Sequence, residues 1–139
     1  MNKIRRRLLL AAGKEPDGVI FKSGVAKING EIARESGVAL RAVNILLARS
    51  GYLSIKADFT EFRTLNIEIS LLESTGHGTQ FGYGRSATAF TRSYTKTTAA
   101  NEVKTFDISS VTGEQFINFV AGEYTDSTNT YIANIWLEG

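Results

Sequence analysis

Few side chains in this sequence have the chemistry of a catalytic or metal-binding group. There is one histidine, His77, and there is no cysteine. His77 stands between Gly76 and Gly78 in a predicted turn. A metal site or an acid–base pair needs convergent partners, and no second histidine or cysteine supplies them. We therefore interpret His77 as a loop residue and expect no transition-metal site.

Carboxylates offer another route to catalysis. Glu68 falls on the predicted outer face of a strand. The remaining candidates fall at strand ends or in loops: Asp58, Asp107, Glu123 and Asp126. A glycosidase needs two carboxylates that face each other across the scissile bond. Nothing in the spacing of these residues brings two of them together, so the sequence predicts a protein that is not an enzyme.

Aromatic and arginine side chains give the best candidate for a binding surface. Aromatic planes stack on sugar rings, and arginine donates paired hydrogen bonds to hydroxyls or carboxylates. The ligand-binding candidates are Tyr83, Arg85, Arg92 and Tyr94, with Phe81 and Phe90 beside them. The alternative, which we favour for Phe81, Tyr83 and Phe90, is that these rings belong to the core, since large aromatics are buried on average. Trp136 is likewise assigned to the core or to an interface.

A two-residue alternation of apolar and polar side chains indicates the strands that must position these residues. Between Phe59 and Leu71, one side carries Leu65, Ile67, Ile69 and Leu71, and the other carries Asn66, Glu68 and Ser70. This pattern is typical of a half-buried strand. Further strands are predicted at 19–21, 81–85, 89–95, 103–108, 115–121 and 131–138. Regular short strands with turns between them are typical of a sandwich or barrel.

Glycines at 82 and 84 interrupt one of these strands. They lack the lysine and the following helix of a phosphate-binding loop. Glycine in a strand permits another backbone or a ring to approach closely. We therefore expect Gly82 and Gly84 to mark such an approach.

Composition and charge limit the remaining function classes. The apolar fraction of 42% excludes general disorder, and a net charge of +2 is too small to indicate nucleic-acid binding. We expect a basic arm over residues 1–18 and one sandwich domain over 19–139. The apolar run at 8–12 is shorter than the roughly 7–15 residues of a signal-peptide core. It is also far shorter than the ~20 residues of a membrane span, so no membrane is expected.

The arm has two interpretations. It is either a short helix or flexible segment, or it docks on a neighbouring subunit. In the docking interpretation, Arg5, Arg6 and Arg7 pair with acidic groups on that subunit.

Residues 31–54 allow three interpretations. One is an amphipathic helix from Ile32 to Ala48. Another is a pair of strands, at 39–48 and 52–56, that turn at Ser50-Gly51. We favour the strands because residues 52–56 alternate. In the third interpretation the segment resembles the helix-turn-helix of the lactose-repressor family, on the spacing of Ala33, Gly37, Val38, Val43 and Leu46.

The helix-turn-helix interpretation conflicts with the side chains of its reading helix. It would leave three apolar residues without a partner: Leu40, Ile45 and Leu47. Only Arg41, Asn44 and Arg49 could then meet DNA, which should be contacted by polar groups. It stays as a second alternative function, a DNA-binding regulator.

Several segments together carry a broader resemblance. They are Asp58-Phe59-Thr60, residues 62–69, residues 105–109 with Gly113 and 116–117, residues 132–138, and the opening Met-x-x-x-Arg-Arg-Arg-Leu-Leu-Leu. In this order they resemble small jelly-roll modules of bacteriophage tail and baseplate proteins, which are similar to galactose-binding and carbohydrate-binding sandwiches. The resemblance implies an all-β jelly-roll β-sandwich with a short basic N-terminal arm.

The same resemblance implies a function and a setting. It implies a non-enzymatic structural or binding protein of a phage or prophage tail, assembled in the bacterial cytoplasm and located in the virion. Its partners would be other phage structural proteins, further copies of itself, and a host-surface glycan, with no nucleic acid and no membrane. The first alternative is a stand-alone carbohydrate-binding module. No cofactor is expected, although carbohydrate-binding jelly rolls often hold calcium.

Overall fold

The computed structural model describes residues 18–72, 78–96, 101–122 and 129–139 of the 139. Within these ranges it contains nine β-strands and no helix, and so no helix that could cross a bilayer. The strands are β1 (Val19–Lys22), β2 (Glu31–Leu40), β3 (Ile45–Asp58), β4 (Thr64–Leu72), β5 (Thr79–Gly84), β6 (Arg92–Lys96), β7 (Glu102–Asp107), β8 (Glu114–Val120) and β9 (Thr130–Glu138). The all-β prediction is confirmed. Arg5, Arg6, Arg7 and His77 lie outside the described residues.

The strands form one antiparallel ladder that folds over on itself. Its order is β6-β5-β8-β3-β9-β4-β7, with β2 added to β3 and β1 added to β9. The fold-over occurs at β3, because residues 45–47 pair with β9 whereas residues 52–58 pair with β8. We call β2-β3-β8-β5-β6 the first sheet. The second sheet is β1-β9-β4-β7 together with the start of β3.

The core lies between the two sheets. Leu65, Ile67 and Ile69 of β4 are fully buried, as the alternation predicts. The first sheet contributes Leu53, Ile55, Phe81, Tyr83, Ile117 and Phe119, and the second contributes Phe106, Ile132, Ile135 and Leu137. Because inward residues from both sheets meet, the molecule is a two-layer sandwich.

Residues 31–58 form a hairpin of two long strands. The turn lies at residues 41–44, where the Arg41 amide donates to the Asn44 carbonyl at 2.9 Å. The helix over 32–48 and the helix-turn-helix are therefore wrong, and the strand interpretation is right. Strand pairing prevails over local helix propensity because it buries the inward residues of β3, which include Ile45 and Leu47.

The predicted bounds of this hairpin are wrong, however. Ser50 and Gly51, expected at the turn, lie inside β3. Ser50 adopts a φ of 62°, and Gly37 of β2 adopts a φ of 66° beside it. The pairing register shifts there, as at a β-bulge. Such a bulge bends the strands, so the hairpin passes from one sheet to the other instead of turning.

The segment between β5 and β6 folds over the outer face of the first sheet. It is held by Asn118, which is 1% exposed. The Asn118 side-chain amide donates to the carbonyls of Ser86 at 2.9 Å and Ala89 at 2.6 Å. Ser54 Oγ donates to Asn118 Oδ1 at 2.5 Å. The middle of that outer face is therefore covered by the chain itself.

Gly82 and Gly84 permit this close approach, as expected from the sequence. A Cβ on Gly82 would lie 2.0 Å from the Arg92 carbonyl oxygen, and a Cβ on Gly84 would lie 2.1 Å from that of Ala89. Both distances are far inside van der Waals contact. Neither glycine can carry a side chain unless the neighbouring backbone moves, which is that of β6 at Gly82 and that of the covering segment at Gly84.

Replacing Gly82 by alanine is expected to lower the free energy of unfolding by about 1–3 kcal/mol, the usual cost of overpacking a tight contact. Urea unfolding followed by circular dichroism measures it. Thr95→Ala, at an exposed position on β6, is the control and should stay within about 0.5 kcal/mol of wild type. A Gly82→Ala protein as stable as the control would contradict this packing.

Candidate functional site

The structure separates the four predicted ligand-binding residues. Tyr83 is only 4% exposed, and its ring packs edge-on against Phe59 and Phe106, with centroids 5.5 and 6.0 Å away. Arg85 is exposed in the covering segment. Arg92 and Tyr94 come together on β6. The core interpretation is confirmed for Phe81 and Tyr83, whereas Phe90 is half-buried.

Arg92 and Tyr94 line a cleft between the edge strands of the two sheets. Its β6 wall is Arg92, Ser93 and Tyr94, and its β7 wall is Thr105, Phe106 and Asp107. The volume is about 230 Å³. Tyr94 is 40% exposed, and its ring lies 5.0 Å from that of the buried Phe106. We call this the edge cleft.

A charged cluster ties the same two edge strands together. Glu102 on β7 accepts from Lys96 Nζ at 3.1 Å and from Lys104 Nζ at 2.8 Å. The Lys96 side chain is 1% exposed. The hydrogen bond from Lys104, followed by that from Lys96, lowers the pKa of Glu102, and the same contact raises the pKa of Lys104. Lys104 Nζ also lies 4.9 Å from the Tyr94 ring centroid.

The outer face of the second sheet carries a group of polar side chains around a tryptophan. We call it the polar face, formed by Asn66, Glu68, Thr105, Asn134 and Trp136. Asn66 pairs with Trp136 on β9 and with Thr105 on β7, so these three lie in one row across the strands. Glu68 pairs with Asn134 in the next row. All five side chains therefore point away from the core.

Hydrogen bonds hold these side chains in place. Thr105 Oγ1 donates to Asn66 Oδ1 at 2.7 Å, and Asn134 Nδ2 donates to Glu68 Oε1 at 2.9 Å. The Asn134 Oδ1 accepts from the Ser23 amide at 2.9 Å. The Trp136 indole N–H donates to Glu138 Oε1 at 2.5 Å. Asn66 is only 5% exposed and so positions Thr105, whereas Glu68, Thr105 and Asn134 present donors and acceptors in a preformed arrangement.

A groove continues the polar face toward β1. Val19, Phe21, Lys22, Asn134 and Trp136 line it, and it encloses about 350 Å³. Trp136 is half-buried, so part of its ring is accessible from this groove. The ring provides an apolar platform beside the polar side chains of Asn134 and Glu68.

Sequence reasoning placed Glu68 on an outer face but missed the rest of this arrangement. Of the two assignments of Trp136, core or interface, the core assignment is wrong, because Trp136 lies on the outer face and is half-buried. The signal was present, because Trp136 alternates with the buried Ile135 and Leu137. Strand register, which brings Trp136 beside Asn66, is not readable from one sequence.

The remaining acidic residues have local roles. Asp58 Oδ1 accepts from the Thr60 amide, and Asp107 Oδ1 accepts from the amide and hydroxyl of Ser109. These contacts from Ser109 lower the pKa of Asp107. Over the described ranges, no three His, Cys, Asp or Glu side chains converge on a metal site. Glu123 and Asp126 lie outside those ranges.

The outer face of the first sheet carries the aromatic residues Tyr52 and Phe116, both half-buried. The Arg34 guanidinium lies 4.1 Å from the Tyr52 ring centroid, so one ring face is already covered. The covering segment occupies the centre of this sheet. This face therefore offers a ligand less open surface than the polar face does.

Solved structures with a similar fold include three carbohydrate-binding modules. A CBM36 module in complex with calcium and xylotriose is 17% identical, over 79% of this chain and 94% of that chain, with a TM-score of 0.52. A CBM4 structure is 14% identical, over 84% and 83%, with a TM-score of 0.54. The module CBM29_1 from Piromyces equi is 13% identical, over 87% and 89%, with a TM-score of 0.53.

No protein-family model matches the sequence, and no curated protein matches it. At sequence identities this low, the structural similarity supports the fold assignment alone. The chain is an all-β sandwich of the jelly-roll type that these carbohydrate-binding modules share, as the sequence analysis predicted.

Proposed function

We propose that this protein is a non-enzymatic carbohydrate-binding module and that its glycan lies on the polar face. The observation that carries the proposal is the accessible Trp136 ring beside side chains already held by hydrogen bonds. The likeness to carbohydrate-binding modules supports it at the level of fold. Function belongs to the site rather than to the fold, so the proposal rests on side chains.

The polar face matches the two kinds of surface on a sugar. One side of a pyranose ring is apolar and can lie flat on the Trp136 indole. The hydroxyls at its rim both donate and accept. The Glu68 carboxylate accepts, and the Asn134 amide does both. Because these groups are held by Thr105, Glu68 and Ser23, little side-chain entropy is lost on binding.

Binding to a glycan panel tests the proposal. Immobilised neutral polysaccharides and oligosaccharides, including xylans, glucans, mannans and bacterial cell-surface polysaccharides, are incubated with the full chain. We expect saturable binding to at least one of them, without release of shorter sugars. The Glu68→Gln protein should bind that glycan more weakly, because a charged acceptor makes the stronger hydrogen bond. A panel without any binding would contradict the proposal.

We expect this binding to need no metal. The alternative is calcium, which accompanies xylotriose in the complex of the CBM36 module. Titrations in excess EDTA and in added calcium separate the two. Equal affinities agree with the expectation, and loss of binding in EDTA would show that calcium takes part.

We propose a bacteriophage or prophage tail as the setting, with host-surface glycan as the ligand. The support is the resemblance of residues 58–60, 62–69, 105–109 with Gly113 and 116–117, and 132–138 to tail and baseplate jelly rolls, together with the basic run Arg5-Arg6-Arg7 as a docking arm. In this setting the chain assembles as a homo-oligomer with other phage structural proteins, in the bacterial cytoplasm, and is then located in the virion.

A stand-alone module fits the fold equally well, and an experiment separates the two settings. Purified tail particles or tail extracts are probed for the protein, and its oligomeric state is measured by light scattering. Incorporation into tails, lost when Arg5, Arg6 and Arg7 are replaced by serine, supports the tail. A monomer that does not bind tail extracts favours the stand-alone module.

A further inference from the structure

The edge cleft has opposite charges on its two walls. Arg92 projects from β6, and Asp107 projects from β7. Among the described residues, no carboxylate lies within ion-pair distance of the Arg92 guanidinium. Arg92 and Asp107 therefore both line the cleft without forming an ion pair with each other.

Asp107 keeps one oxygen for a ligand. Both hydrogen bonds from Ser109 go to Oδ1, at 2.9 Å from the amide and 2.7 Å from the hydroxyl. Oδ2 is not used by this turn. The hydrogen bonds from Ser109 and the charge of Arg63 lower the pKa of Asp107, and the ionised carboxylate can accept from a ligand through Oδ2.

A donor facing an acceptor is suited to a pair of adjacent hydroxyls. One hydroxyl accepts from the Arg92 guanidinium, and its neighbour donates to the Asp107 carboxylate. The Tyr94 ring provides an apolar wall, and Ser93 and Thr105 add hydroxyl groups. A neutral sugar can use both the donor and the acceptor, whereas a uronate carboxylate that pairs with Arg92 also meets the like charge of Asp107 in the same small cleft.

The cleft is continuous with the polar face. Thr105 belongs to both, since it lines the cleft and donates to Asn66, which is paired with Trp136. Trp136 and Thr105 lie on strands separated by β4 alone. Their strands are thus about 10 Å apart at the usual spacing within a sheet. One glycan chain lying across the strands can occupy both places.

We propose that the edge cleft is a second sugar subsite, in which Arg92 and Asp107 bind the vicinal hydroxyls of a neutral sugar in a chain whose other end lies on Trp136. The inference rests on the proposed function and adds the ligand class: a neutral oligosaccharide long enough to cross from β9 to β6. Affinity should therefore depend on chain length.

Calorimetric titration with length series tests the inference. The probes are xylo-, cello- and manno-oligosaccharides of one to six units, used with wild type, Arg92→Gln and Asp107→Asn. The amide oxygen that Asp107→Asn introduces can still accept from Ser109, so the turn is preserved. Arg85→Gln, which replaces an exposed arginine outside the cleft, is the matched control, and thermal melting verifies that each variant is folded.

We expect the longest bound oligosaccharide to lose about tenfold in affinity in each cleft variant, as for loss of one charged hydrogen bond. The shortest bound one should change less than twofold, and Arg85→Gln should match wild type. An Arg92→Gln protein that binds the hexasaccharide as wild type does, while a Trp136→Ala protein binds it at least about thirtyfold more weakly, would overturn the subsite and leave the proposed function intact. Tighter binding of a uronate-bearing hexasaccharide than of its neutral counterpart would overturn the ligand class. Absence of any binding by wild type would overturn both proposals.

Discussion

Trp136→Ala is expected to weaken glycan binding by at least about thirtyfold. Truncating a central aromatic anchor costs roughly 2 kcal/mol or more, and each 1.4 kcal/mol is a factor of ten. Trp136 supplies the only large ring among the five residues of the polar face, so no neighbour can replace its contact with the sugar. Calorimetric titration with the best-bound glycan of the panel measures the loss.

Two further variants make this result specific. Trp136→Phe keeps an aromatic platform and should recover part of the affinity. Tyr52→Ala removes an aromatic from the outer face of the opposite sheet and should bind as wild type does. Because Trp136 is half-buried, the melting temperature of each variant must be measured alongside. A Trp136→Ala protein that remains folded and binds within threefold of wild type would contradict the proposed site.

Glu102→Ala is expected to lower the free energy of unfolding by about 3 kcal/mol. Removing one partner of a buried ion pair leaves the other charge uncompensated, and such losses run about 3–5 kcal/mol. We take the lower end because the Glu102 side chain is 32% exposed, whereas that of Lys96 is 1% exposed. Glu114→Ala, which breaks a solvent-exposed contact with Lys56, is the control and should cost less than about 1 kcal/mol.

The same ion pair makes the free energy of unfolding depend on pH in the acid range. The pKa of Glu102 is lowered in the folded state, chiefly by the hydrogen bond from Lys104. A group with a lowered folded pKa contributes its full stabilisation above its unfolded pKa, here 4.5, and loses it as the pH falls through the folded value. The free energy of unfolding of wild type, measured with urea, should therefore decrease as the pH falls below about 4.5. The free energy of unfolding of the Glu102→Ala protein should decrease less over that pH range. If it depends on pH as that of wild type does, the stabilising role of Glu102 is contradicted.

Much of the fold was readable from two-residue alternation. It correctly placed Leu65, Ile67 and Ile69 inward and identified residues 115–121 as a strand, which is β8 within one residue. The glycines at 82 and 84 within a predicted strand correctly indicated that another backbone approaches them closely. These features depend on neighbouring residues or on one face of one strand, and a single sequence is enough to predict such features.

Features that depend on two distant strands were not readable. The hairpin turns at residues 41–44 and not at Ser50-Gly51, where the sequence predicted the turn. Pairing between β2 and β3 continues past Ser50, where the strands form a bulge. The edge cleft exists only because β6 and β7 meet across the sandwich. The polar face likewise depends on register, which sets Trp136 beside Asn66 and Glu68 beside Asn134.

The most direct test of the central claim, that the polar face carries the glycan site, is chemical-shift mapping by NMR. The protein is titrated with the best-bound neutral oligosaccharide. We predict the largest changes at the Trp136 indole N–H and at the side-chain amide of Asn134. The largest changes at Tyr52 and Val120 on the outer face of the first sheet, with the polar face unperturbed, would contradict it.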